Sequence, residues 1–241
     1  FGASVDLQGA WAAIGAPDFD GGGHGYRYDA NANGGLSAAN APYLATKQGT
    51  SVALFNGGSN VLLGDPTSTN GGSGGMVWQS GINGWLWSSN AGERFGTSLS
   101  IVNSSEVLIG APLNNDGATQ SGAVYLFNYN STGGQNKLQT IKAPTPTAYD
   151  NFGRSVAVAG DRAVIGLPGH DSNGPNAGAV FVYQKIRNVW QAVAKLVAPD
   201  PGGGYDEFGH SVAMENNTVV IGAPLDDSDT SPSSYDHGSA Y

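Results

Sequence analysis

Short apolar runs recur along the whole chain, each closed by a polar, glycine-rich loop. No useful length of sequence keeps the helical spacing of apolar positions. Residues 163–167 (Ala-Val-Ile-Gly-Leu) and 179–183 (Ala-Val-Phe-Val-Tyr) flank the polar loop His170-Asp171-Ser172-Asn173-Gly174. Apolar residues that alternate, or run on where both faces are buried, predict short antiparallel strands. The expected fold is all-β, with very little helix.

These runs fall into a repeated order. Each unit opens on Phe-Gly-x-Ser-[Val/Leu], at Phe1-Gly2-Ala3-Ser4-Val5, Phe95-Gly96-Thr97-Ser98-Leu99, Phe152-Gly153-Arg154-Ser155-Val156 and Phe208-Gly209-His210-Ser211-Val212. A degenerate copy, Gln48-Gly49-Thr50-Ser51-Val52, has Gln in place of Phe. An apolar run then ends on Gly-[Ala/Leu/Asp]-Pro, and the glycines of this second landmark are Gly15, Gly64, Gly110, Gly166 and Gly222. Their spacing of 46 to 56 residues lies in the range of blade-type repeats. A third landmark opens an aromatic strand, as in Gly75-Met76-Val77-Trp78, Gly122-Ala123-Val124-Tyr125 and Gly178-Ala179-Val180-Phe181. It is degenerate at Gly25-Tyr26-Arg27-Tyr28 and truncated at Gly238-Ser239-Ala240-Tyr241. Weaker fourth strands are expected at 43–47, 137–141 and 190–197.

One four-stranded sheet of this size cannot bury both its faces, whereas sheets stacked around an axis can. The order Phe-Gly-x-Ser-Val, Ile-Gly-Ala-Pro, Gly-Ala-Val-Tyr resembles the FG-GAP repeat, the blade of integrin α-subunit propellers and of many microbial surface proteins. The resemblance is strong in the units opening at 95, 152 and 208, moderate in the first, and weakest in the second, where Gly64-Asp65-Pro66 replaces Gly-Ala-Pro. It implies an all-β propeller of four-stranded antiparallel blades, with units of approximately 1–47, 48–94, 95–151, 152–207 and 208–241. The last unit stops at its third strand. Either the chain continues in a longer polypeptide, or a neighbouring subunit donates the missing strand and the protein polymerises.

Composition narrows the partners. The 241 residues include 38 glycines, only 12% are charged, and the net charge is −9. Such an acidic surface disfavours nucleic acid and anionic lipid as partners. Without cysteine there are no disulfides, thiolate metal sites or cysteine nucleophiles. No apolar run approaches the roughly 20 residues that cross a bilayer, and the chain opens on Phe rather than Met. It is expected to be soluble, and to be processed or part of something longer.

The loops between second and third strands hold the richest chemistry: Asp18-Phe19-Asp20-Gly21, Asn114-Asn115-Asp116-Gly117, Asp171-Ser172-Asn173-Gly174 and Asp226-Asp227-Ser228-Asp229. Oxygen-bearing side chains followed by glycine suit Ca²⁺, which takes 6 to 8 oxygens. They are also the residues that make turns. In integrin-like repeats the equivalent loop is a longer Asp-x-Asp-x-Asp-Gly type, which none of these four matches fully. Candidate calcium ligands are Asp18, Asp20, Asn114, Asp116, Asp171, Asn173, Asp226, Asp227 and Asp229.

Glu93, Asp150 and Asp206 recur just before the Phe-Gly at 95, 152 and 208, where capping a turn is more economical than binding a ligand. Trp78, Trp85 and Trp87 offer aromatic faces for a sugar, against the more ordinary reading of blade packing. His24, His170, His210 and His237 lie in different units without metal-ligand spacing and read as loop or surface residues. Asn103, Asn130 and Asn216 head N-glycosylation sequons.

No nucleophile elbow, His-Glu-x-x-His or phosphate-binding loop is present in the sequence. The resemblance implies a non-enzymatic extracellular or cell-surface protein that adheres to a protein or glycan. The alternatives are a fibre subunit that binds copies of itself and an accessory domain of a larger secreted enzyme.

Overall fold

The computed structural model describes residues 2–17, 23–29, 36–39, 48–69, 74–81, 84–88, 90–129, 137–199, 204–226 and 238–241. The first sheet consists of Ser4–Gln8 (β1), Trp11–Ala16 (β2), His24–Asp29 (β3) and Leu36–Ala39 (β4). The second consists of Ser51–Phe55 (β5), Asn60–Asp65 (β6), Met76–Gln79 (β7) and Gly84–Trp87 (β8), and the third of Leu99–Ile101 (β9), Glu106–Ala111 (β10), Ala123–Asn128 (β11) and Lys137–Ile141 (β12). The fourth sheet is built from Ser155–Ala159 (β13), Arg162–Leu167 (β14), Ala179–Ile186 (β15) and Val189–Leu196 (β16). Ser211–Glu215 (β17), Thr218–Ala223 (β18) and Ser239–Ala240 (β19) form the fifth, which has three strands. Each sheet follows chain order, so every blade is a meander of neighbouring hairpins. The fold is an all-β propeller of four-stranded antiparallel blades, with no helix among the described residues.

The turns follow local chemistry. Arg187 and Asn188 join β15 to β16 with φ of +50° and +65°. Two successive positive φ values match the turn twist to the strand twist. Asn216 plays a similar part between β17 and β18, with φ +53°.

The chain divides into two compact units, Phe1–Ala111 with Tyr125–Leu138, and Pro112–Val124 with Gln139–Tyr241. Within the first, each opening motif locks onto the preceding blade. Ser4 Oγ donates to the Gly49 carbonyl at 2.9 Å, and Ser51 Oγ donates to the Gly96 carbonyl at 2.7 Å. The Gly-Ala-Pro glycine is small because that same carbonyl abuts it. A Cβ on Gly15 would lie 1.9 Å from the Gly49 oxygen, and one on Gly64 would lie 2.1 Å from the Gly96 oxygen. Gly49 and Gly96 themselves have φ of +83° and +92°, a conformation glycine adopts without steric cost. Phe95 is fully buried, donates its N–H to the Gly74 carbonyl at 2.7 Å, and meets Phe127 edge-on at 5.3 Å.

Strand alternation gives each blade two faces. The trailing face carries the motif serine and the Gly-Ala-Pro glycine; the leading face carries the residues between them. Trp11 and Ala13 of the first blade's trailing face pack with Val52, Leu54, Val61, Leu63, Trp78 and Trp85 of the second blade's leading face. Asp6 Oδ2 and Gln8 Oε1 on that trailing face accept the Leu54 and Gly58 N–H groups, each at 2.6 Å.

The second unit repeats this construction. The N–H groups of Phe152 and Phe208 donate to the Ser121 and Ala177 carbonyls at 3.1 and 3.0 Å. Gly122 bridges Phe152 and Gly178 bridges Phe208 in parallel. Ser155 Oγ reaches the Gly209 carbonyl at 2.8 Å, and a Cβ on Gly166 would lie 2.0 Å from that oxygen. Val164, Val180 and Ala157 on one blade pack with Val212, Met214, Val219 and Ile221 on the next.

Three expectations change. The first blade's fourth strand is Leu36–Ala39, paired with β3, while the expected 43–47 lies outside the described residues. The second blade has a fourth strand, Gly84–Trp87, that its glycine and tryptophan content concealed. His24 lies on β3 rather than in a loop, while His170 lies in a loop as expected, as a half-buried partner of a carboxylate. His237 lies outside the described residues.

Candidate functional site

The loops between second and third strands are built on a shared frame. The N–H of the third-landmark glycine returns to a carbonyl early in the loop: Gly122 to Asn114, Gly178 to His170 and Gly238 to Asp226, at 2.9 to 3.1 Å. One loop side chain then clasps the loop's far end. Asn115 Oδ1 accepts the Gln120 N–H at 2.8 Å, and Asp171 Oδ1 accepts the Asn176 N–H at 2.9 Å. These side chains hold the loops closed by binding backbone donors.

In the described loops the candidate side chains already have protein partners. The buried Asn114 turns its Oδ1 onto the Asp116 N–H at 2.8 Å, and Asp116 forms an ion pair with Lys142 at 2.5 Å. Asn173 points its amide Nδ2 at the Ala198 carbonyl at 3.4 Å, and Asp226 accepts the Tyr241 hydroxyl. Among the described residues, no three His, Asp or Glu side chains gather as a metal site. Asp18, Asp20, Asp227 and Asp229 lie outside the described residues.

The carboxylates before Phe95 and Phe152 are structural anchors. Asp150, whose side chain is 1% exposed, accepts the Thr147 N–H and Oγ1–H at 2.6 Å each and meets His170 Nδ1 at 3.0 Å. Burial alone would raise its pKa, but the bonds from His170 and Thr147 outweigh burial and hold it below the ordinary value of 3.8. Glu93 Oε2 accepts the Tyr125 hydroxyl at 2.7 Å and the Asn90 amide at 3.2 Å. Burial, with the Glu93 charge second, pushes the Tyr125 hydroxyl pKa well above its usual range. Asp206 is buried, and its carbonyl receives the Leu225 N–H at 3.4 Å. The spacing of the motif shows where such a carboxylate falls, but not that His170 is its partner.

The tryptophans divide. Trp78 is 2% exposed inside the packing between the first two blades, so its ring offers no face to a sugar. Trp85 stands opposite Trp78 on the neighbouring strand and packs against the same cluster. Trp87 is half-buried on the same face as Trp85.

Asn103 and Asn216 are exposed in turns. Asn103 Oδ1 caps the Ser105 and Glu106 N–H groups at 2.9 and 3.0 Å. Tyr129, whose pKa burial pushes up to about 12, donates to the Asn103 carbonyl at 2.9 Å. Asn130 lies outside the described residues.

The interlocked Phe-Gly and Gly-Ala-Pro motifs define the class as a repeat propeller. Residues 89–127, 136–183 and 190–241 match the FG-GAP repeat family, more than half of the chain, and the chain belongs to that family. The first two blades lie outside the match, yet Gly15 and Gly64 make the same close approaches as Gly166. No curated protein matches the chain. Among solved structures, it is similar to Kuenenia stuttgartiensis hydrazine synthase, with 12% identity, TM-score 0.61, and coverage of 92% of this chain and 61% of that one. It is also similar to a structure from a study of two prolyl endopeptidases, with 16% identity, TM-score 0.55, and coverage of 90% and 30%. The chain thus spans less than two thirds of either structure, and at these identities the likeness is one of fold. No described helix is long and apolar enough to cross a membrane.

Proposed function

We propose that the chain is a non-enzymatic binding or adhesion protein of the cell surface or extracellular space, whose blades hold variable loops toward a protein or glycan. One contrast supports this reading. The repeated residues are occupied in joining blade to blade, while the stretch between second and third strands varies in length, from seven residues (17–23) to fifteen (224–238). Connections that vary between repeats are where recognition accumulates. The exposed sequon residues Asn103 and Asn216 suit a glycosylated surface. The test is binding of the purified chain to panels of immobilised glycans and matrix proteins. Saturable binding that disappears when 168–178 or 224–238 is replaced by a Gly-Ser loop is the expected result, and the absence of saturable binding to either panel would overturn the reading.

A second reading, an accessory domain of a larger secreted enzyme, draws on the solved structures, whose printed names are those of enzymes and whose chains are longer. It requires a catalytic domain in the same reading frame.

A further inference from the structure

Two tyrosines stand at a backbone position that favours glycine and offers a side chain no packing. Three residues before Phe95, Phe152 and Phe208 come Gly92, Tyr149 and Tyr205, with φ of +73°, +68° and +78°. Glycine adopts this left-handed backbone freely, whereas a bulky residue is disfavoured there. A Cβ on Gly92 would meet nothing within 4 Å, so no contact offsets that strain. The rings of Tyr149 and Tyr205 accordingly lie in the open, 57% and 60% exposed. Among the described residues, neither ring pairs with another aromatic ring and neither hydroxyl has a hydrogen-bond partner. A strained residue that packs on nothing points to a task outside the fold.

Backbone contacts set both tyrosines against one loop of the second compact unit. At its start, a Cβ on Gly169 would lie 1.9 Å from the Tyr149 oxygen, and the Gly169 N–H donates to the Asp150 carbonyl at 3.2 Å. At its far end, the Tyr205 N–H donates to the Pro175 carbonyl at 2.6 Å. Between these contacts run His170, Asp171, Ser172, Asn173 and Gly174, of which Asp171 and Asn173 are exposed. Asp171 gives Oδ1 to the Asn176 N–H and Asn173 gives Nδ2 to the Ala198 carbonyl. Each keeps its other side-chain oxygen, Asp171 Oδ2 and Asn173 Oδ1, as an acceptor.

We infer that Tyr149 and Tyr205 are the aromatic platforms of a glycan-binding site, with Asp171 and Asn173 between them accepting hydrogen bonds from sugar hydroxyls. The ligand class is a neutral glycan chain. A pyranose ring carries C–H groups on one face and hydroxyls around its rim, which matches a bare aromatic face beside carboxylate and amide oxygens. A protein partner calls for a continuous apolar centre, and here a polar loop separates the two rings. The net charge of −9 disfavours anionic sugars. This inference rests on the glycan half of the function proposed above and names the side chains that carry it.

The test is calorimetric titration of the whole chain with cello-, chito-, manno- and xylohexaose, alongside melting temperatures. It compares the wild type with Tyr149→Gly, Tyr205→Gly and the corresponding Phe variants. At least one hexasaccharide is expected to bind, and each Gly variant to bind it about tenfold more weakly. Both Gly variants should melt close to the wild-type temperature, because glycine suits the left-handed backbone and no packing is lost. The Phe variants keep the ring face and should keep the affinity. Unchanged affinity in both Gly variants would overturn the inference, as would a marked fall in their melting temperature, which would make the rings structural. A chain that binds none of the four sugars but binds a matrix protein saturably would overturn this inference and leave the adhesion reading standing. Absence of saturable binding to any sugar or matrix protein would overturn both.

Discussion

A single methyl group separates a tolerated glycine from an indispensable one in this repeat. At Gly166 a Cβ would lie 2.0 Å from a backbone carbonyl of the next blade, which cannot retreat without parting the two sheets. At Gly222 the nearest obstacle is the Ser211 hydroxyl, which can rotate. Gly166→Ala is expected to cost about 2–4 kcal/mol in urea unfolding at low protein concentration, and Gly222→Ala less than about 1 kcal/mol. Asp150 gives a second residue-scale expectation, in pH dependence. Its carboxyl is more acidic folded than unfolded, so its contribution is present above the ordinary value of 3.8 and is lost as pH falls through the depressed folded value. Asp150→Asn should cost about 1–3 kcal/mol near neutrality, because the amide keeps one acceptor oxygen, turns the other into an NH2 that faces a Thr147 or His170 donor, and removes the charge. The gap between wild type and variant should narrow in unfolding curves taken below that pH; a gap that stays constant would mean the carboxylate charge contributes nothing.

Strands and turns are the scale at which sequence and structure agree most closely. Phe-Gly-x-Ser and Gly-Ala-Pro were legible because each has one steric task that recurs at every junction, and repetition separates the signal from a glycine-rich background. Gln48 shows the tolerance of the motif: the side chain is buried like a Phe, and the backbone still bridges Gly23. Fourth strands were harder to read. Leu36–Ala39 carries small residues without a landmark, so nothing in its spacing distinguishes it from loop. One such outer strand is tied down by long-range pairing that no local pattern reveals. Gln139 Nε2 donates to the Trp190 carbonyl at 2.9 Å, and Gln139 Oε1 accepts the Trp190 N–H at 3.0 Å. Gln139→Ala should strand both backbone groups and lower stability by about 1–3 kcal/mol, with faster amide exchange at Trp190. Unchanged exchange there would mean the clamp is decorative.

Across the whole molecule, the candidate sites were less legible than the fold. Asp, Asn and Gly in a loop fit both an ion and a turn, and spacing alone does not separate them; in the structure the Gln120 and Asn176 backbone N–H groups bond the Asn115 and Asp171 oxygens. Likewise Trp78 fits both a sugar platform and a core until its burial against the neighbouring blade is known. What the repeat does specify is that each blade is completed by the motif of the next. Residue-resolved hydrogen exchange on the native chain tests this most directly. Interlocked blades require the amides of Phe95, Phe152 and Phe208, each bonded to a carbonyl of the preceding blade, to exchange as slowly as the centre of β14. Exchange at those three amides as fast as in the exposed Asn216-Asn217 turn would contradict the interlock.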